Sequence, residues 1–248
     1  MKTLRINEKK KQSYIHPEVY GHFAEHLGRC IYDGIFVGED SDIPNVNGMR
    51  TDIVEALKEI NIPVLRWPGG CFAEDYRWRD GIGPKEMRKP VINTNWGGER
   101  EPNTFGTHEF FELCEQLGCK TYVNINMGSG TIEEMREWVE YMTCDADTPL
   151  TQERKANGRD RAWKLDYIGV GNEMWGCGGL MDGATYGKEF RQWNRFVDNH
   201  DIENPVKRVI SGGNKEWSEE VLKNALNFWA PEGTLLLKAL DKYPAGLA

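Results

Sequence analysis

The 248-residue sequence has no apolar run of the roughly 18 residues needed to cross a membrane and no basic-then-apolar leader. Neither a membrane span nor a signal peptide is expected, and a cytoplasmic location is the default. Positive charge is scarce. Lysine and arginine number 31 against 39 aspartates and glutamates, a formal net charge of −8, so no basic stripe exists to displace counterions from nucleic acid or an anionic membrane. The six cysteines (Cys30, Cys71, Cys114, Cys119, Cys144 and Cys177) contain no CxxC pair. That argues against a zinc ribbon and a thioredoxin-type site, and reduced thiols are expected. GxGxxG follows no predicted strand and no Walker lysine motif occurs, which removes the usual phosphate cradles. Histidine is rare too, and His16, His108 and His200 show no metal-ligand spacing.

What is present is alternation. A short edge strand is expected at residues 3–6, then strands at 19–23, 62–67, 120–126, 163–170 and 206–211. Helical patterns fall between and after the last five of these, at about 49–59, 107–116, 131–142, 186–199 and 217–228. Thr131 followed by Glu134 opens the third helix as a capping box, and residues 145–160 read as a polar insertion. Five consecutive βα units mean a parallel sheet. A (β/α)8 TIM-type barrel is favoured over a doubly wound sheet because polar residues sit at the carboxyl ends of the strands: Glu25, Arg66, Asn126 and Glu173. A full barrel takes about 250 residues. Here long loops place only five units in the chain, so a barrel truncated after about five units is expected.

The stretch Gly169-Val170-Gly171-Asn172-Glu173-Met174-Trp175-Gly176 organises the rest. A buried strand, rich in β-branched and aromatic residues, stops at a polar Asn-Glu pair bracketed by glycines. Trp175 supplies an apolar wall, the setting a general acid needs. Glu25 and Arg66 join it as a set suited to sugar chemistry, since carboxylates accept from hydroxyls and glycoside hydrolysis uses paired carboxyl groups. Nine tryptophans add a weak cue in the same direction. A rival is His22-Phe23-Ala24-Glu25-His26, which fits the HxxEH pattern of inverted zinc peptidases if it lies on a helix. Gly21 and Gly28 leave that helix less than two turns.

Five stretches carry a specific resemblance: YGHFAEHLGRCIYDGIFVGEDS (20–41), IPVLRWPGGCFAEDYRWRDGIGP (62–84), FGTHEFFELCEQLG (105–118), MGSGTIEEMREWVEYMT (127–143) and YIGVGNEMWGCGG (167–179). Together they resemble the α-L-arabinofuranosidases of glycoside hydrolase family 51, in order, over about residues 12–226. The resemblance implies a retaining enzyme that removes non-reducing terminal arabinofuranosyl groups from arabinoxylan, arabinan or their oligosaccharides, without metal or cofactor and commonly as a homo-oligomer. It implies Glu173 as acid/base and Asn172 as holder of the sugar 2-hydroxyl. Glu25, Arg66 and Cys71 would line the sugar subsite, Arg66 would also orient the nucleophile, and Trp96 and Asn126 would border the site.

In that family the nucleophilic Glu ends a seventh strand, and the chain continues into a β-sandwich that recruits the N-terminal strand. The resulting division is residues 1–15 as that strand and turn, 16–228 as a partial barrel, and 229–248 as a tail whose carboxylates, Glu232 and Asp241, match no family motif. With one carboxylate of two, the chain alone is expected to hydrolyse an aryl α-L-arabinofuranoside negligibly, and its open sheet edge to favour association. The alternative is a non-catalytic sugar binder.

Overall fold

The structure, a computed structural model, describes residues 9, 13–226 and 234–235. The strand expected at 3–6 and nearly all of the tail, Glu232 and Asp241 included, lie outside the described residues.

Six strands form one parallel sheet: β1 (His22–Phe23), β2 (Val64–Trp67), β3 (Lys120–Ile125), β4 (Tyr167–Val170), β5 (Lys207–Ile210) and β6 (Thr234–Leu235). Spatial order follows chain order without reversal. A doubly wound sheet reverses direction where its ligand binds, so this sequential order is that of a (β/α) barrel wall, as the strand-end residues implied. β6 is a strand that the sequence pattern did not reveal. Among the described residues the outer edges of β1 and β6 are unpaired, so the wall is open.

Among the described residues six α-helices accompany the strands: α1 (Thr51–Glu59), α2 (Thr107–Leu117), α3 (Ile132–Thr143), α4 (Pro149–Ala156), α5 (Gly183–Arg195) and α6 (Lys215–Leu226). The capping box of α3 forms as expected, with Glu134 N–H donating to Thr131 Oγ1 at 3.1 Å and Thr131 N–H to Glu134 Oε2 at 2.9 Å. The polar insertion is a correction, because it contains α4. Thr148 caps that helix and Pro149 begins it. No apolar stripe announces it, because its anchor is Arg154, fully buried and donating to the carbonyls of Tyr141, Cys144 and Asp160 and to the Asp145 carboxylate.

The core is aromatic. Trp67 is completely buried, stacks on Phe110 at 5.3 Å and meets Tyr76, Phe105 and Trp138 edge-on. Trp78, Trp138, Trp163 and Trp193 are buried as well. Most tryptophans therefore serve packing rather than sugar stacking.

Candidate active site

The site lies at the carboxyl ends of the strands and is built by a chain of polar contacts that begins with a missing side chain. A Cβ on Gly169, inside β4, would stand 2.2 Å from Asn124 Oδ1. Its absence lets Asn124, on β3, lay its amide across β4. Asn124 Oδ1 accepts from Arg66 Nη2 at 3.1 Å, and the same nitrogen donates to Asn172 Oδ1 at 2.7 Å. The Arg66 guanidinium is sandwiched between the rings of Phe23 and Tyr122, 5.3 and 5.4 Å from their centroids. Its Nε is buried without a partner, and it forms no ion pair among the described residues. Gly169→Ala is therefore expected to cost about 1–3 kcal/mol through overpacking. In an Asn124→Ala background the cost should fall but not vanish, because Tyr122 Cε2 would still stand 3.0 Å from the added Cβ, and equal costs in both backgrounds, read from denaturant midpoints, would refute the Asn124 clash.

Asn172 is buried, and its backbone N–H donates to Glu74 Oε1 at 2.6 Å. Glu74 is 2 % exposed and also accepts from Met127 N–H (2.9 Å) and Gly128 N–H (2.5 Å) through Oε2. One carboxylate thus ties the loop after β2 to the ends of β3 and β4. Burial pushes the Glu74 carboxyl up to about 7, against the pull of the three N–H donors and of Arg66. From the other side, the buried Tyr186 hydroxyl donates to Val170 O at 2.5 Å and accepts from Ser211 N–H at 2.8 Å, joining the ends of β4 and β5.

Glu173 is solvent-exposed and adopts φ +44°. Of six non-glycine residues with positive φ among those described, four are Asn or Asp; Glu173 and Leu180 are the others. Backbone strain is therefore concentrated at the two ends of a single turn. That turn is closed by Gly176 N–H and Gly178 N–H, which donate to Glu173 O at 2.7 and 3.1 Å. Trp175 is 46 % exposed and lies against the next strand end, donating its indole N–H to Gly212 O at 3.0 Å.

Glu25 is buried after β1, and its Oε1 accepts from Gly70 N–H (2.9 Å) and Phe72 N–H (3.2 Å). Gly69, at φ +155°, admits this carboxylate, since a Cβ there would lie 2.6 Å from Glu25 Cγ. A Cβ on Gly70 would be 3.4 Å from both Glu25 Oε1 and Asn172 Nδ2, so Glu25 and Asn172 face one small space. Cys71 Sγ stands 3.8 Å from Glu173 Oε2.

The structure thus brings together Glu25, Arg66, Cys71, Asn172 and Glu173. It does not bring Asn126 among them. Asn126 caps the following turn, with Oδ1 accepting from Ser129 N–H and Gly130 N–H and Nδ2 donating to Tyr76 O and Ser129 Oγ. Asn124, two residues earlier and inside β3, holds the site position. Trp96 sits in the loop of the antiparallel ribbon Val91–Asn93 with Glu99–Glu101, partly buried against the core, its backbone N–H donating to Asn93 Oδ1. The expectation of reduced thiols also needs correction at one pair: Cys71 and Cys177 form a disulfide, while Cys30, Cys114, Cys119 and Cys144 are free. These partners are 106 residues apart in sequence and become neighbours only through the fold.

The HxxEH motif does not lie on a helix. His22 is exposed on β1, whereas His26 is buried, accepting from Trp67 Nε1–H at 3.0 Å and facing Glu101 Oε2 at 3.3 Å. Both His26 nitrogens are engaged, and burial holds its pKa below the ordinary value, so it acts as a neutral packing histidine.

Comparison with known proteins connects this geometry to one group. The family model described as "Alpha-L-arabinofuranosidase 1 domain" matches residues 56–239. An intracellular exo-alpha-L-arabinofuranosidase of Bacteroides ovatus is 52% identical over 223 residues, 89% of this chain and 43% of that protein. Alpha-L-arabinofuranosidase C of Emericella nidulans is 43% identical over 97% of this chain and 48% of its own length. Among solved structures, the GH51 arabinofuranosidase of Xanthomonas axonopodis pv. citri superposes with a TM-score of 0.84 at 43% identity, covering 88% of this chain and 45% of that one. The arabinose complex of the Thermotoga maritima alpha-L-arabinofuranosidase gives 0.77 at 39% identity, covering 83% and 42%. The chain spans less than half the length of these relatives.

Proposed function

Because the chain belongs to the α-L-arabinofuranosidase family of glycoside hydrolase family 51, we propose that it carries the acid/base half of a retaining arabinofuranosidase acting on terminal arabinofuranosyl groups of arabinoxylan- or arabinan-type oligosaccharides. The observation that carries this reading is the connected set Arg66–Asn172–Glu173 at the strand ends, held from beneath by Glu74 and Asn124.

In this proposal Glu173 protonates the departing glycosidic oxygen and later deprotonates the attacking water. Its exposed position leaves room for a leaving group of varied size. Asn172 offers its amide to the sugar 2-hydroxyl, fixed by Arg66 on its oxygen. Glu25 and Cys71 line the ring, and the unpartnered Arg66 Nε is a donor available to the partner carboxylate of a retaining pair. By the family resemblance, that carboxylate would end a strand later than those read in this chain. Residues 16–228 are accordingly read as part of the catalytic barrel. A cytoplasmic location is proposed from the resemblance to the Bacteroides protein named as intracellular.

Titration calorimetry with arabinofuranosyl oligosaccharides tests the binding half. Saturable binding is expected, lowered at least tenfold by Asn172→Ala, with no comparable affinity for xylopyranosyl or galactopyranosyl oligosaccharides. Equal affinity for furanosyl and pyranosyl ligands would overturn the reading.

A further inference from the structure

Cys71 and Cys177 meet beside Glu173 from two directions. Cys71 opens the turn Cys71–Glu74 after β2, and Cys177 lies four residues beyond Glu173 within the turn closed on the Glu173 carbonyl. Their sulfurs stand 3.8 and 3.6 Å from the same atom, Glu173 Oε2, and their Cα atoms are 5.6 Å apart. Among the described residues this is the one group of three metal-ligating side chains whose ligand atoms all lie within 4.8 Å of one another.

Those distances have a chemical meaning. With metal–sulfur bonds of about 2.3 Å and metal–oxygen bonds of about 2.1 Å, tetrahedral zinc places a sulfur and an oxygen ligand about 3.6 Å apart and two sulfurs about 3.8 Å apart. The carboxylate oxygen is therefore already one tetrahedral edge from each sulfur. Only the sulfur pair must separate, and breaking the disulfide permits that. Glu173 and Cys177 are exposed and Cys71 is half-buried, which gives an ion a path of entry. The Asn172 side-chain amide, 3.7 Å from Cys177 Sγ, points a donor at that sulfur, as outer-shell groups do for thiolate ligands.

We infer that the reduced chain binds one thiophilic divalent cation of the zinc–cadmium class through Cys71 Sγ, Cys177 Sγ and Glu173 Oε2, and that the disulfide is the closed form of the same site. A dithiol reductant converts the disulfide to two thiols and is itself oxidised to a disulfide. Cation binding then releases the two thiol protons, leaving two thiolates and a carboxylate around the ion and its fourth position open to water. Magnesium and calcium, which favour all-oxygen shells, are poor competitors. Binding does not depend on the function proposed above. If that function holds, the bound ion occupies the acid/base carboxylate and acts as an inhibitor rather than a cofactor.

The test is cadmium titration of the purified chain, reduced and then freed of reductant under argon, followed by thiolate-to-metal charge-transfer absorption. One equivalent is expected to bind, and zinc should displace it while magnesium does not. Cys71→Ser and Cys177→Ser should each weaken binding by more than the roughly 10–100-fold that loss of an outer-shell partner costs. Glu173→Gln should weaken it about tenfold with the sulfur absorption retained. The reoxidised wild-type chain keeps its fold and should lose the signal, which guards against a variant that merely fails to fold. Binding that survives reoxidation, or that persists in the double serine variant through the remaining cysteines, would overturn the assignment. So would undiminished affinity in Glu173→Gln, since the carboxylate would then be no ligand.

Discussion

Replacing Glu173 by glutamine is expected to lower kcat/KM for arabinofuranosyl oligosaccharides by about 10²–10⁴-fold in a turnover-competent protein that contains this chain. The size follows from the missing proton. An alkoxide leaving group cannot depart from the sugar unprotonated, and the glutamine amide keeps the shape of Glu173 while offering no acid. An aryl arabinofuranoside with a nitrophenolate leaving group needs little protonation, so its first step should be nearly spared and the loss should shift to deglycosylation. There, water still needs a base. Because Glu173 is exposed and its carboxylate makes no structural ion pair among the described residues, the unfolding midpoint should barely move. Steady-state kinetics on the two substrates decide the matter. Equal losses on both, or none, would remove Glu173 from the acid/base role.

Much of the site was readable because barrel strands advertise their ends. The run Tyr167–Val170 is buried at all four positions and the chain reaches solvent only at Glu173, and Arg66 is the one half-buried residue near the end of the otherwise buried β2; β1 gave no such signal, since both its residues are exposed and Glu25 beyond it is buried. The supporting residues were invisible for a related reason. Glu74 sits in a polar stretch that reads as solvated loop, yet its three partners lie 53, 54 and 98 residues away and only the folded sheet assembles them. Cys177 pairs across 106 residues in the same way. Asn124 and Asn126 are spaced as if on one strand face, so period alone cannot say that the strand ends between them, with Asn124 over β4 and Asn126 capping the turn beyond. Gly169 held the missing clue: a glycine inside a buried strand marks a close approach, and here the approaching group is Asn124.

Glu74 leads to the second large effect, on stability. Its three partners are backbone N–H donors, so glutamine in its place must present an amide N–H to one of them. An unsatisfied buried donor costs about 1–3 kcal/mol, and the strand end most exposed to that loss is the peptide of Asn172, one residue before Glu173. The pH dependence is the sharper signature. The Glu74 carboxyl is raised from 4.5 to about 7 by burial, so the folded state binds more protons than the unfolded state between those values. Its contribution is fully present below about pH 4.5 and is lost as pH rises through about 7, and at 1.36 kcal/mol per unit the span is about 3 kcal/mol. His108, held down to about 4 by burial, acts in the opposite sense: its stabilising contribution grows as pH rises from about 4 to 6.5, and His26 shifts in the same direction. Wild-type stability alone therefore mixes the two and can look flat in the acid range. The difference between wild type and Glu74→Gln cancels the histidines and isolates the carboxyl. In urea titrations, that difference should be largest at and below about pH 4.5 and shrink steadily towards pH 8. A difference independent of pH would show that Glu74 is already ionised throughout this range, so that its three N–H donors outweigh burial. A glutamine variant as stable as wild type at every pH would show that the tie between the two strand ends carries no energy.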